Sequence, residues 1–284
     1  MTSRRYVFLG GLAAPLWLAT AGLATPAQAQ QRKSLADPLR LGVDEALMSS
    51  GLARSLQRAF GLDTGIAVQL VPGPALPLLE ALERGELDAT LTNAPDAETR
   101  LAQLGLAHDR RAVALGALVL VGPAPKSKLS DPAGVAGLAD TAGGRDIAQA
   151  LQRIAAAAAT PGTLQFLSSA DGSGTHAAEQ ALWRAAKLAP AAAWYAAVDK
   201  GSGVIAQARA RGAYALVERG AWADLGGAPL AVLLEGDPAM DLPVHVMRSF
   251  RINHPAARIW AAWIAGPKGA RVVAAQRGYR APKR

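Results

Sequence analysis

Cysteine is absent from all 284 residues. That excludes a disulfide framework, a thiol nucleophile, thiolate metal ligation and lipid attachment to an N-terminal Cys. Aromatic side chains are scarce at 5%, and 22 acidic side chains stand against 30 Lys and Arg. The net charge of +8 is scattered as single arginines among Ala and Leu, with no basic run interleaved with aromatics. It describes a solvated surface and excludes a nucleic-acid footprint. Beyond residue 30 no eighteen-residue window is apolar without a charge or a breaker, so that part is not expected to span a membrane. What is present is ample for a core. Hydrophobic residues make up 51% and charged ones 18%, enough for one large domain or two lobes and incompatible with wholesale disorder.

The first thirty residues have the composition of an address. Arg4 and Arg5 precede an apolar stretch from Val7 to Leu23, Ala27-Gln28-Ala29 follows, and no acidic residue occurs before Asp37. This order predicts a signal peptide over residues 1–29, cleaved on export. Ser3-Arg4-Arg5-Tyr6-Val7-Phe8-Leu9 approximates a twin-arginine signal, so either export route is open. A permanent anchor is the alternative, and Gly10, Gly11 and Pro15 weaken it. With no cysteine to lipidate, the expected location is the periplasm of a two-membrane cell.

The body alternates strand and helix signals. Leu39, Leu41 and Val43 alternate with polar or small residues, and Leu52, Leu56 and Phe60 recur at helical spacing. A strand over Ile66–Leu70 is expected to stop at Pro72-Gly73-Pro74, and a helix through Leu76, Leu79 and Leu82 to stop at Gly85. Leu87–Leu91 predicts a third strand, and the apolar run Ala112–Val121 one buried on both faces. After a Pro, Lys and Ser linker the rhythm restarts: a helix over 146–159, a strand at 164–167, a helix after Asp171-Gly172-Ser173-Gly174, strands near 214–217, 230–234 and 244–250, then closing helices at 256–264 and 270–276. The expected fold is α/β and two-lobed, with mostly parallel sheets covered by helices on both faces. Residues 30–121 and 235–284 form one lobe and 122–234 the other, with a hinge between them. Ligands of such folds sit at strand C-termini in the interlobe cleft.

Asp171-Gly172-Ser173-Gly174-Thr175-His176, followed by Glu179, Leu182-Trp183 and Trp194-Tyr195, resembles the tungstate-binding proteins of bacterial ABC importers. Further matches lie in order along the chain: Ser50-Gly51-Leu52, Gly85-Glu86-Leu87-Asp88-Ala89, Asn93-Ala94-Pro95, Val121-Gly122-Pro123, Gly201-Ser202-Gly203, Tyr214 with Glu218-Arg219-Gly220, Glu235-Gly236-Asp237 and Asn253-His254-Pro255. The resemblance implies a type II periplasmic binding fold, two lobes closing on an oxyanion, an inner-membrane ABC permease as partner, a monomer, and neither catalysis nor a cofactor. The candidate ligand contacts are Asp44, Glu45, Gly73, Asn93, Ser168, Ser169, Asp171, Ser173, Gly174, Thr175, Ser202 and Arg219. The physics of the best-matched motif agrees: glycines admit close approach, and a helix start presents free N–H groups. Ser173 and Thr175 either donate to a ligand or cap that helix.

The chain departs from the family where it matters most. The family carries a Thr-Thr-Thr-Ser run after its first strand; here the positions are Val43-Asp44-Glu45-Ala46. Its arginine in the second motif is Ser169 here. Unit charges ~4 Å apart at an effective dielectric of ~20 interact by about 4 kcal/mol, and a carboxylate repels a dianion by about twice that. A helix end offsets no more than ~2 kcal/mol. Tungstate, molybdate and sulfate are therefore not the expected ligands. Because neighbours in an extended segment point opposite ways, one of Asp44 and Glu45 is expected to face the cleft. It either receives a cationic or amine-bearing solute, with serines and Thr175 holding the other end, or pairs with an internal arginine such as Arg219 or Arg251 and leaves the cleft unused. A metal site from Asp44, Glu45, Asp171 and His176 lacks short ligand spacing. Catalysis lacks a motif: His176 follows Ser173 by three residues, no Gly-x-Ser-x-Gly exists, and His108, His245 and His254 are isolated. Trp183, Trp194, Tyr195, Trp260 and Trp263 are expected in the core, and Trp222 near the cleft. The expected function is solute binding for an importer; the alternative is a sensing or protein-interaction module on the same fold.

Overall fold

The computed structural model describes residues 33–125, 127, 129, 131–138, 145–162, 164–198 and 203–282. The expected leader and Ser202 lie outside them. Strands in chain order are β1 (Leu39–Asp44), β2 (Val68–Gly73), β3 (Ala89–Thr92), β4 (Ala107–Pro123), β5 (Phe166–Ser168), β6 (Tyr195–Ala197), β7 (Tyr214–Glu218), β8 (Leu230–Leu234) and β9 (Asp241–Ser249). The α-helices are α1 (Glu45–Ser49), α2 (Leu52–Thr64), α3 (Ala75–Arg84), α4 (Pro95–Gln103), α5 (Ile147–Ala157), α6 (Gly174–Ala185), α7 (Val204–Arg211), α8 (Arg219–Leu225), α9 (Pro255–Ile264) and α10 (Pro267–Ala275). None of them is long and apolar enough to cross a membrane.

Each lobe is built on a parallel trio, β2-β1-β3 in the first and β6-β5-β7 in the second. Antiparallel β9 closes the first sheet beside β3, and β4 pairs with β9, β7 and β8 in turn. β4 is thus the strand both sheets share. Its residues Ala107–Ala117 belong to the first sheet and Leu118–Pro123 to the second. The stretch Leu118–Val121, assigned from the sequence to the end of the first lobe, pairs inside the second. The reason is physical: the run Ala112–Val121 is apolar on both sides of the crossing and carries no polar punctuation to mark it. The chain returns between Leu234 and Asp241, and a third segment passes the same place. Arg280 exchanges two backbone hydrogen bonds with Leu115, at 2.8 and 3.0 Å, and its guanidinium grips Asp241 at 2.8 Å.

Local rules explain most element ends. Gly85 stops α3 in the left-handed conformation at φ +78°, and Pro255 and Pro267 open α9 and α10 at first-turn positions. His254 caps α9, its Nδ1 accepting from Ala256 N–H at 3.1 Å. β2 does run through Pro72 to Gly73, past the expected break. Its one partner is β1, and an edge strand tolerates a proline that lacks the ladder donor.

The aromatics fill two cores. Phe60, Trp260 and Trp263 join Leu39, Leu41 and Leu56 under the first sheet, with Phe60 edge-on to Trp260 at 5.0 Å. Phe166, Trp183, Trp194 and Tyr195 pack with Leu151 and Ile154 in the second. Trp222, expected near the cleft, packs instead with Val119, Val217 and Leu230, because α8 lies against β4 and β7. Trp260→Ala removes a fully buried indole and is expected to cost about 3–5 kcal/mol in urea denaturation. A loss below about 1 kcal/mol would contradict this core assignment.

Candidate functional site

The C-terminal ends of β1, β3, β5 and β7 meet at the interlobe gap, and two carboxylates converge there. Asp44 is the last residue of β1 and the N-cap of α1, fully buried. Its Oδ1 accepts from Ala46 N–H at 3.0 Å and its Oδ2 from Gly174 N–H at 3.3 Å. Gly174 opens α6 in the opposite lobe, so this carboxylate ties the lobes together. Glu45, its neighbour, points into solvent. From the second lobe Glu218, at the end of β7 and 4% exposed, comes to meet it. Glu218 Oε1 accepts from the Asn93 amide and from Thr175 Oγ1 at 3.1 Å, and Oε2 accepts from the Tyr279 hydroxyl at 3.0 Å. Tyr279 in turn stands 3.0 Å from the Ser50 hydroxyl.

Asn93 closes the cluster. It is 1% exposed, and while its Nδ2 donates to Glu218 its Oδ1 has no partner. That oxygen lies against Gly174 so closely that a Cβ there would stand 1.7 Å from it. Glycine is required at the position by the approach of the two lobes. A backbone bond from Leu76 N–H to the Gly172 carbonyl, 3.2 Å, spans the gap a second time.

Neither carboxylate has a cation. Among the described residues no Lys or Arg lies within 4.0 Å of Asp44 or Glu218. Arg219 turns outward to pair with Glu235, and Arg251 donates to the Glu83 carbonyl at 2.6 Å and covers the Phe250 ring. The expected alternative of internal pairing with Arg219 or Arg251 is thereby corrected. Arg219 opens α8 just past β7, and Arg251 lies beyond the end of β9. Uncompensated burial has a chemical consequence. Desolvation, with smaller pushes from Asp171 and Glu45, raises Asp44 to about 6 against the pull of its two amides. Desolvation followed by the charge of Asp44 raises Glu218 to about 7, against the Tyr279, Thr175 and Asn93 bonds.

The remaining candidates separate into cleft and frame. Thr175 reaches Glu218, whereas Ser173 caps α6, its Oγ accepting from His176 N–H at 3.2 Å. Asp171 is exposed and organises the loop, accepting from Ser173 N–H at 2.9 Å and from the Ser169 hydroxyl at 3.0 Å. Ser168 is buried beside Glu179 and Tyr195, whose hydroxyl donates to Glu179 at 2.5 Å. Gly73 is the register partner of Asp44 on β2. His176 Nδ1 accepts from Gly172 N–H, and among the described residues no three His, Cys, Asp or Glu side chains are grouped to hold a metal ion. Glu218, Tyr279 and Ser50 were missed as site residues. Glu218 had a signal, since it ends a strand on the same edge as Asp44; Tyr279 had none.

Two outcomes follow from this geometry. Gly174→Ala should favour α6 by about 0.5–1 kcal/mol on propensity, yet its methyl collides with Asn93. The lobes are expected to stand further apart in small-angle scattering at unchanged helix content; an unchanged scattering profile would refute the contact. The second concerns pH. Carboxyls whose folded pKa is raised bind more protons folded than unfolded, so stability falls as pH climbs from about 4.5 to about 7. Glu218→Gln is expected to flatten the fall in melting temperature over that window, and a curve parallel to wild type would remove Glu218 from its cause.

Comparison with known proteins places this geometry in context. Residues 28–248 match the family model described as a PBP superfamily domain. A putative ABC transporter anion-binding protein of Haloferax volcanii is 28% identical over 247 residues, covering 83% of this chain and 68% of that protein. The tungstate-binding protein TupA of Peptoclostridium acidaminophilum is 29% identical over 241 residues, 80% of this chain and 77% of its own. Among solved structures, the tungstate ABC transporter protein of Geobacter sulfurreducens superposes with a TM-score of 0.70 at 27% identity, covering 84% of this chain and 98% of that one. With the family model spanning most of its length and both lobes aligned to such neighbours, this chain belongs to the PBP superfamily.

Proposed function

We propose that this chain is the substrate-binding component of an ABC importer, acting in the periplasm, and that its lobes close on a small solute carrying a positive charge. The relatives support the importer role, and the leader-like N-terminus supports the compartment. The observation that carries the charge assignment is the convergence of Asp44 and Glu218 from opposite lobes with no Lys or Arg against either among the described residues. Buried acids of like charge oppose closure, and a cation between them reverses the sign of that term. Because the contacts come from both lobes, the ligand binds the closed form better than the open one and shifts the hinge equilibrium. A tetrahedral oxyanion meets the opposite situation. The Gly174 amide that would greet it already serves Asp44, and Glu218 repels it.

Calorimetry at pH 7.5 is expected to show no uptake of tungstate or molybdate; submicromolar binding of either would overturn the charge assignment. A cationic solute that raises the melting temperature is expected to bind at least tenfold more weakly to Glu218→Gln, about 1.4 kcal/mol. Equal affinity would take Glu218 out of the site.

A further inference from the structure

We infer that the charged group received by this cleft is a primary ammonium, held by Asn93 Oδ1 together with Asp44 and Glu218. The inference rests on the charge reading above and narrows it to one chemical class. Its starting point is Asn93, a side chain 1% exposed whose Oδ1 has no hydrogen-bond partner. Buried polar atoms are nearly always paired, and an orphan acceptor calls for a donor. Contacts place this oxygen among the acids: the Asn93 amide nitrogen donates to Glu218, and Oδ1 rests on Gly174, whose N–H is bonded to Asp44. A neutral acceptor and two anionic ones thus share one end of α6.

The acceptor inventory favours ammonium over other cations. The Asp44 oxygens each spend one lone pair on a backbone amide, and Glu218 accepts from Asn93, Thr175 and Tyr279. A carboxylate offers about four acceptor sites, so Glu218 retains a single one. An ammonium with three N–H donors takes one acceptor from each of the three side chains, within the two sites left on Asp44, the one on Glu218 and the two lone pairs of Asn93 Oδ1. Calcium takes about 6–8 oxygens, and among the described residues no trio of His, Cys, Asp or Glu is grouped for a metal. A quaternary ammonium is recognised by aromatic faces. Here Trp183, Trp194 and Tyr195 are committed to the second core, and Tyr279 presents its hydroxyl to Glu218. A guanidinium confines its five donors to one plane, whereas an ammonium points its three N–H bonds in three directions, which suits acceptors arriving from the separate ends of β1, β3 and β7. The Asn93–Glu218 bond spans the lobes, so entry takes place with the hinge open, and closure brings the three acceptors onto the –NH3+ group.

Titration calorimetry and thermal shift on the wild-type protein at pH 7.5 test this with n-butylammonium, tetramethylammonium, guanidinium and calcium chlorides. The expected result is binding of n-butylammonium at least tenfold tighter than any of the other three. Asn93→Ser, with its fold checked by circular dichroism, is expected to weaken n-butylammonium at least tenfold. Tighter or equal binding of tetramethylammonium, guanidinium or calcium that is lost in Glu218→Gln overturns the ammonium assignment and leaves the cation reading standing. If none of the four binds, or if binding is indifferent to Glu218→Gln, both are overturned. The wild-type selectivity series decides the matter by itself should Asn93→Ser fail to fold.

Discussion

The burial of two like-charged carboxylates against each other, one from each lobe, is the constraint to which the rest of this cleft answers. Removing a carboxylate from water costs several kcal/mol unless charge or donors replace the solvent. Here donors do so in part: two backbone amides for Asp44, and an amide and two hydroxyls for Glu218. Neutral donors stabilise the oxygens without cancelling the charge. The residue of the imbalance appears as carboxyl groups raised to about 6 and about 7. Near neutral pH the pair therefore exchanges protons readily.

Relatives of this chain carry names that include anion or tungstate binding, and the scaffold here retains the features that suit an anion. α6 starts at a glycine, with its N–H aimed across the gap at Asp44. What changed is the group that N–H meets. The carboxylate of Asp44 occupies the helix start, held from the side of the first lobe by its own strand end. On the proposed reading the charge of the cleft is set by this side chain, with the sheet order, the strands that cross between lobes and α6 left as they are. Fold and ligand charge are separable, because the first is fixed by buried apolar strands and the second by a handful of side chains at their ends.

That separation also governs what the sequence discloses. The parallel trios, the helix stopped by Gly85 and the loop that launches α6 are encoded in local period and punctuation, and they are visible in a single strip of residues. The crossing inside β4 is legible only to within a few residues, since Ala112–Val121 is apolar on both sides of it; the boundary set after Val121 falls between Ala117 and Leu118. α4, α7 and α8 escaped notice for a related reason: they are short, and each starts directly from a strand end or a Gly or Pro turn. In the cleft, the departure at Asp44 was legible from one segment, but its counterpart was not. Glu218 lies in a different lobe, and its neighbour Arg219 offered the more conventional partner for a carboxylate. Only the strand-to-helix turn, which leaves Glu218 buried at the end of β7 and starts α8 at Arg219, directed out to Glu235, decides between them.

Tyr279 shows how the constraint reaches the hinge. Its hydroxyl stands between Ser50 of the first lobe and Glu218 of the second, while the next residue, Arg280, is bonded to β4 and to Asp241 at the start of β9. The tail is locked sterically as well, since a Cβ at Gly278 would stand 2.6 Å from the Gly220 nitrogen. The phenol is thus fixed relative to all three segments that cross between lobes. Any rotation of the second lobe that carries Glu218 away must stretch the Tyr279 bond or drag the tail with it. A protonated Glu218 holds that bond weakly, and an ionised one holds it as a charge-assisted bond at the cost of repelling Asp44. The two effects oppose each other within one carboxyl group. Charge at the cleft and position at the hinge therefore belong to a single equilibrium.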